Sequence, residues 1–93
     1  DVLLDDRRRA FVRGGREAGL TAREFALARA LFERAGDVCT RTELLTSVWG
    51  PNFDGEPNVV DVYAGYLRRK LADIEATTAI RTVRGIGFRL EPA

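Results

Sequence analysis

Two stretches hold the side chains with the clearest chemistry. Residues 58–74 carry Arg68, Arg69 and Lys70 in a run of helical period, and Ile80-Arg81-Thr82-Val83-Arg84-Gly85-Ile86-Gly87-Phe88-Arg89-Leu90 follows as a short arginine-bearing hairpin. Advancing about 100° per residue from Val60 puts Val60, Ala64, Leu67, Leu71 and Ile74 in one narrow stripe. Arg69 falls almost opposite, with Asn58, Val62, Gly65, Tyr66 and Asp73 around it and Arg68 and Lys70 on the flanks. A merely solvated face has little use for Val62 and Tyr66, or for Gly65, which weakens a helix by ~1 kcal/mol. A face that must approach another molecule closely does. In the hairpin, residues 80–83 alternate apolar and polar, 84–87 form a tight Gly-rich connection and 88–90 return. An Arg at such a tip is long and cationic enough to enter a narrow minor groove, whose negative potential attracts it. Helix and hairpin together point to nucleic acid.

Other chemistries find little support. Gly85-Ile86-Gly87 neither follows a long buried strand nor opens a helix, so it is not a dinucleotide fingerprint. The chain has no His, which removes Ser-His and Cys-His nucleophilic sites and His-based zinc sites. Its one cysteine, Cys39, has no disulfide partner and sits in a short apolar step before a helix, as a buried structural thiol does. Asp5-Asp6 has no third ligand or Gly-rich cradle nearby and reads as a turn between strands rather than a metal or phosphoryl site. No metal, cofactor or catalytic machinery is expected, and the chain is not read as an enzyme.

At 93 residues the expectation is one domain, 1–93, with a modest core and no room for a substrate-enclosing enzyme with lids. A hydrophobic content of 45% and a charged content of 31% describe an ordered soluble protein. No apolar run approaches the roughly 20 residues that span a bilayer and no signal peptide is present. A cytoplasmic location without a membrane partner is therefore expected. The net charge of +1 by itself argues weakly against a nucleic-acid partner. Its distribution matters more: residues 1–57 hold nine basic and ten acidic side chains, and 58–93 hold six and four. Fourteen of the fifteen cations are Arg, which suits phosphate and bidentate recognition, although genome composition also produces such a bias. With no Met and Asp1 at its start, the chain is expected to be a piece of something longer.

The elements that must position these groups are legible from the start of the chain. Residues 2–4, 9–12 and 16–20 read as three short strands separated by Asp5-Asp6 and Gly14-Gly15 turns, an antiparallel meander. Thr21-Ala22-Arg23-Glu24 is a capping box that opens a helix with Phe25, Ala28 and Phe32 on one face, running to about Ala35 before Gly36. A second capping box, Thr40-Arg41-Thr42-Glu43, opens a shorter helix with Leu44, Leu45 and Val48 apolar. Residues 49–57, Trp-Gly-Pro-Asn-Phe-Asp-Gly-Glu-Pro, are a breaker-rich acidic loop before the third helix. Two helices joined by a connection, the later one presenting an Arg-bearing face, follow helix-turn-helix logic. The expected fold class is α+β: a winged helix-turn-helix with an N-terminal antiparallel β-meander, a three-helix core and a C-terminal β-hairpin wing.

These residues carry a resemblance. Leu20-Thr21-Ala22-Arg23-Glu24-Phe25, Thr40-Arg41-Thr42-Glu43-Leu44-Leu45 with Val48-Trp49-Gly50, Val60-Asp61-Val62, Leu67-Arg68-Arg69-Lys70-Leu71 and Arg81-Thr82-Val83-Arg84-Gly85-Ile86-Gly87-Phe88 resemble, in order and over essentially the whole chain, the OmpR/PhoB family of winged-helix DNA-binding output domains of bacterial two-component response regulators. The resemblance implies a transcription factor domain whose third helix enters the major groove while the wing reaches the adjacent minor groove. It implies a preceding receiver domain, phosphorylated on an aspartate by a cognate sensor kinase. It also implies homodimerisation of the full-length protein, head-to-tail binding to direct repeats in promoter DNA, and contact of the 49–57 loop with RNA polymerase, here through Phe53, Asp54 and Glu56.

Carried over position by position, Arg41, Trp49 and Thr82 match phosphate contacts, Trp49 through its indole N–H. Arg84 matches the minor-groove arginine of the wing, Arg68 a cation flanking the recognition face, and Val62 an apolar contact able to touch a thymine methyl. Two departures concern specificity. Tyr66 stands where many members have Arg, beside Gly65 rather than a polar or basic residue, and Asn58 stands where a basic phosphate contact is common. Base readout is thereby expected to shift toward Arg69, Val62 and Tyr66. Alternatives stay open at several positions: Trp49 as a core plug, Arg68 paired with Asp61 or with an acidic group in the sheet, and Phe53 as packing or partner contact. A protein-protein interaction module using the same face is the alternative function, and near-neutral net charge suits it.

Overall fold

The computed structural model describes residues 1–92. The chain begins with the meander: β1 (Leu3–Asp5), β2 (Ala10–Arg13) and β3 (Arg16–Gly19) form an antiparallel sheet in that order, with Phe11 facing Leu4 and Ala18 across it. The Asp5-Asp6 pair does serve as a turn. The Asp5 carboxylate accepts the N–H groups of Arg7 and Arg8, both at 2.9 Å, and the bond from Arg8 above all holds its carboxyl below the ordinary value. Helix α1 (Ala22–Glu33) starts at the expected capping box, with Thr21 and Glu24 bonding each other's backbone N–H reciprocally. It ends before Ala35, at Arg34, whose N–H turns back to the Leu31 carbonyl.

The second helix differs from the sequence reading. Helix α2 (Arg41–Leu44) has only four residues and continues as a π-helical turn over Leu45–Trp49. Leu45, Val48 and Trp49 lie against the core, as i, i+3 and i+4 positions on one helical face do. Just before it, residues 38–40 form a strand, β4 (Val38–Thr40), that the sequence reading treats only as an apolar step. Helix α3 (Val59–Asp73) then crosses the core, and β5 (Ala79–Val83) and β6 (Gly87–Glu91) make the hairpin. The second sheet has the order β4-β6-β5, so the wing hairpin is anchored on a third strand beside α2.

The core forms where the helical stripe predicts. Val60, Ala64, Leu67, Leu71 and Ile74 are buried against Phe11, Leu27, Leu31, Leu44, Phe88 and Leu90, and Cys39 is buried among them. Burial pushes the Cys39 thiol up and keeps it protonated. Gly87 has a steric reason: opposite Thr40 in the sheet, a Cβ there would overlap the Cys39 carbonyl oxygen. Gly85 has a conformational one, since it takes φ +75 in the turn closed by the Ile86 N–H on the Val83 carbonyl, 2.9 Å. None of the described helices is long and apolar enough to cross a membrane.

One buried ion pair ties the first and third helices. Glu24, only 6% exposed, receives the Lys70 ammonium at 2.6 Å, and Lys70 also donates to the Gly19 carbonyl at 2.7 Å. Lys70, on the flank of α3, is thus an internal fastener. Burial pushes the Glu24 carboxyl up, but the bonds from Lys70 and the Thr21 N–H outweigh it and leave it below its ordinary 4.5. A carboxyl lowered in the folded state stabilises the fold above its unfolded value and loses that contribution as pH falls through its folded value. Lys70→Met, which strands the buried carboxylate, is expected to lower unfolding free energy at pH 7 by about 2 kcal/mol in urea titrations. Glu24→Gln is expected to destabilise at pH 7 and to flatten the decline below pH 4.5, so that variant and wild type converge in acid. Gly87→Ala is expected to destabilise by about 1–3 kcal/mol in the same assay, because the strands must move apart.

Candidate nucleic-acid interface

The outward face of α3 and the wing tip are presented on the same construction. Asn58 precedes the first turn of α3 in the αR region, and its side chain makes no cap bond. From it run Val62, Gly65, Tyr66 and Arg69, all exposed, while the opposite stripe is buried. Arg84 is exposed at the hairpin tip beside Ile86, itself 51% exposed. Among the described residues, neither Arg69 nor Arg84 makes an ion pair or a side-chain hydrogen bond, so both cations face outward uncommitted.

The other arginines of this region hold it together. Arg68 donates its Nε–H to the Ile80 carbonyl at 2.8 Å and an Nη2–H to the Thr82 hydroxyl at 2.7 Å, bracing α3 against β5. Its guanidinium lies 5.6 Å from the Phe88 ring centre, and Arg41 lies 5.0 Å from the same ring. Arg41 also grips the Asp61 carboxylate through Nη2 at 2.9 Å and Nε at 3.2 Å, joining the start of α2 to the first turn of α3. The Arg41 N–H further donates to the Ile86 carbonyl at 3.3 Å, which draws the wing tip toward α2. Of the alternatives open for Arg68, neither holds: Asp61 pairs with Arg41, and the sheet offers Arg68 a carbonyl and a hydroxyl rather than an acid. Thr82 remains exposed, with its hydroxyl proton free to donate outward.

Four aromatic rings line the other flank. Trp49 is half-buried, its ring 5.2 Å from Tyr63 in a T-shaped contact and 6.4 Å from Phe53. Tyr63 in turn meets Tyr66 at 5.2 Å. Phe53 is half-buried and folds back on its own loop, where a Cβ on Gly55 would overlap its ring; this favours packing as its role. Asp54 and Glu56 are exposed. Arg23, from the first turn of α1, lies 5.5 Å from the Trp49 ring.

Contacts link Arg41 to the first turn of α3, Trp49 through Tyr63 to Tyr66, and Arg68 to Thr82, whose hydroxyl proton stays free; the expected site residues thus fall into two kinds. Arg69, Arg84, Val62, Tyr66 and Asn58 are offered; Arg41, Arg68 and Trp49 are partly engaged inside. Sequence reasoning gave no role to Tyr63, Ile86 or Arg23, and offered Asp61 to Arg68 rather than to Arg41. Tyr63 had a signal, being three residues before Tyr66 and so on a neighbouring face of the helix. The Arg41–Asp61 pair, twenty residues apart, had none.

The family model for the C-terminal part of transcriptional regulatory proteins matches residues 15–90. The transcriptional regulatory protein PcoR of Escherichia coli is 40% identical over 91 residues, covering 98% of this chain and 40% of that protein. The transcriptional regulatory protein PrrA of Mycobacterium leprae is 48% identical over 83 residues, covering 89% of this chain and 35% of that protein. The chain therefore spans about two-fifths of the length of the full-length relatives it matches. Among solved structures, the Klebsiella pneumoniae RstA DNA-binding domain, determined in complex with the RstA box, superposes with a TM-score of 0.81 at 33% identity, covering 99% of this chain and 92% of that one. Helices, meander and wing, the residues matched and the relatives agree: the chain belongs to the OmpR/PhoB-type family of transcriptional regulatory protein C-terminal domains.

Proposed function

We propose that this chain binds double-stranded promoter DNA as the output domain of a response regulator. In this reading α3 lies in the major groove and Arg84 enters the adjacent minor groove. The observation that carries it is the pair of uncommitted cations, Arg69 on the outward face of α3 and Arg84 at the wing tip, fixed relative to each other by the Arg68 bridge. A helix in one groove and a cation in the next need that fixed spacing. The RstA domain, similar over nearly its whole length, is described as bound to its own DNA box, which supports the reading.

Around these two contacts, Thr82 donates its hydroxyl, Trp49 its indole N–H, Arg41 its remaining guanidinium N–H groups and Asn58 its side-chain amide N–H to phosphates. Arg68 positions the wing rather than reading DNA. The whole of residues 1–93 acts as one winged-helix unit with a binding role and no catalytic one. In the longer protein a receiver, phosphorylated through a sensor kinase in the cytoplasm, brings two copies together on direct repeats. The exposed acids Asp54 and Glu56 on the 49–57 loop then face RNA polymerase, with Phe53 shaping the loop from inside.

Fluorescence anisotropy with random duplex DNA at several salt concentrations tests the reading. Affinity is expected to fall steeply with salt, and Arg84→Ala to bind more weakly with a log–log slope shallower by about one. Affinity indifferent to salt, or an Arg84→Ala variant indistinguishable from wild type, contradicts it and favours a protein partner. Arg68→Gln removes both the charge and the fork that reaches Ile80 and Thr82. It is expected to weaken binding several-fold while leaving the salt slope nearly unchanged, whereas a phosphate-contacting role for Arg68 predicts a slope shallower by about one.

A further inference from the structure

A helix seated in a major groove about 12 Å wide has a phosphate ridge on each side of it. The side toward the wing is well supplied with donors: Arg41 and Arg68 both lie over Phe88, Arg68 donates to Thr82, and the Arg41 N–H meets Ile86 at the wing tip. The opposite flank of α3 carries rings instead. Tyr66 meets Tyr63 at 5.2 Å, Tyr63 meets Trp49 at 5.2 Å, and the guanidinium of Arg23 lies 5.5 Å from the Trp49 ring centre. Three contacts therefore lead from the outward face of α3 to a cation in the first turn of α1.

Within the fold Arg23 has no other task. It is exposed and, among the described residues, makes no ion pair and no side-chain hydrogen bond. A cation in the first turn of a helix also opposes the macrodipole, so α1 gains nothing from it. An anion held beside it removes the conflict. The guanidinium is placed rather than loose, because the Trp49 ring beneath it is half-buried and meets both Tyr63 and Phe53. A planar cation lying over a ring keeps its N–H edge free to donate. The Trp49 indole N–H beside it makes no hydrogen bond among the described residues and reaches the surface. Groups held in this way lose little conformational freedom when they meet a ligand.

Resting on the DNA-binding reading above, which gives the Trp49 indole N–H to phosphate, we infer that Arg23 grips the backbone phosphates on the ridge away from the wing. Helix α1, otherwise a core helix, thereby enters the interface. With Arg84 in the minor groove on one side and Arg23 on the far ridge of the major groove, the domain straddles the groove, a cation to either side of α3 and Arg69 between them. A contact of this kind fixes register on the duplex and carries no sequence information. It supplies that flank with the phosphate-neutralising charge that a chain of net +1 has little of to spare.

The test uses the 93-residue chain and a duplex that it selects from a random pool. Each backbone phosphate is replaced singly by an uncharged methylphosphonate. At one phosphate, or two neighbouring ones, the replacement is expected to weaken wild-type and Arg84→Ala binding about fivefold and to leave Arg23→Gln binding unchanged. That phosphate is expected across the major groove from those whose replacement loses its effect in Thr82→Val. On the unmodified duplex Arg23→Gln is expected to bind about fivefold more weakly, with a log–log salt slope shallower by about one. It is expected to select the same sequence and to keep the wild-type circular dichroism spectrum. An Arg23→Gln variant with wild-type affinity and slope, one that responds to every replacement as wild type does, or one whose lost phosphate lies on the wing side overturns this inference and leaves DNA binding standing. No binding to any duplex at low salt, even by two copies fused in tandem, overturns the DNA-binding reading itself and this inference with it.

Discussion

The guanidinium of Arg68 donates to the Ile80 carbonyl and the Thr82 hydroxyl while lying over the buried ring of Phe88, so one side chain of α3 holds the wing against the helix. The outward geometry depends on this contact. A two-stranded ribbon alone is marginal in water, and its tip would wander relative to the helix. With Arg68 on one side, β4 paired to β6 on the other, and the Arg41 N–H on the Ile86 carbonyl near the tip, helix and wing behave as one body. Hydrogen bonds to a charged group are each worth about 1.5–3 kcal/mol, enough to keep the hairpin from swinging freely.

Ion pairing within the chain decides which cations a nearly neutral protein leaves uncommitted. Most basic side chains of this half are committed to partners: Arg41 to Asp61, Lys70 to Glu24, and Arg81 and Arg89 to Glu91. Those acids cancel charge locally and leave Arg69, Arg84 and Arg68, whose own partners are neutral, as the cations around the outward face. What a polyanion meets is the arrangement of uncommitted charges rather than the net charge.

Much of this was legible in the sequence because it is local. The stripe of Val60, Ala64, Leu67, Leu71 and Ile74 follows from helical period alone, and all five are buried. Both capping boxes form as their residue types require. What escaped was long-range or short. β4 has three residues, too few to show a period, and exists because β6 supplies its partner. The π-helical turn at Leu45–Trp49 has no marker in its residue types. The roles of Arg41 and Arg68 were hidden for the same reason: a residue type that suits phosphate equally suits an internal carboxylate or carbonyl, and only the fold decides which lies within reach.

The central claim is that the outward face of α3 and the wing tip meet one duplex together. Amide chemical-shift mapping of the chain on titration with a selected duplex tests it most directly. The account predicts coincident shifts, at one stoichiometry, along Val62, Gly65, Tyr66 and Arg69 and across Arg84, Gly85 and Ile86, with the meander strands β1 to β3 undisturbed. Shifts confined to the helix without the wing, or centred on the meander and α1, would contradict it.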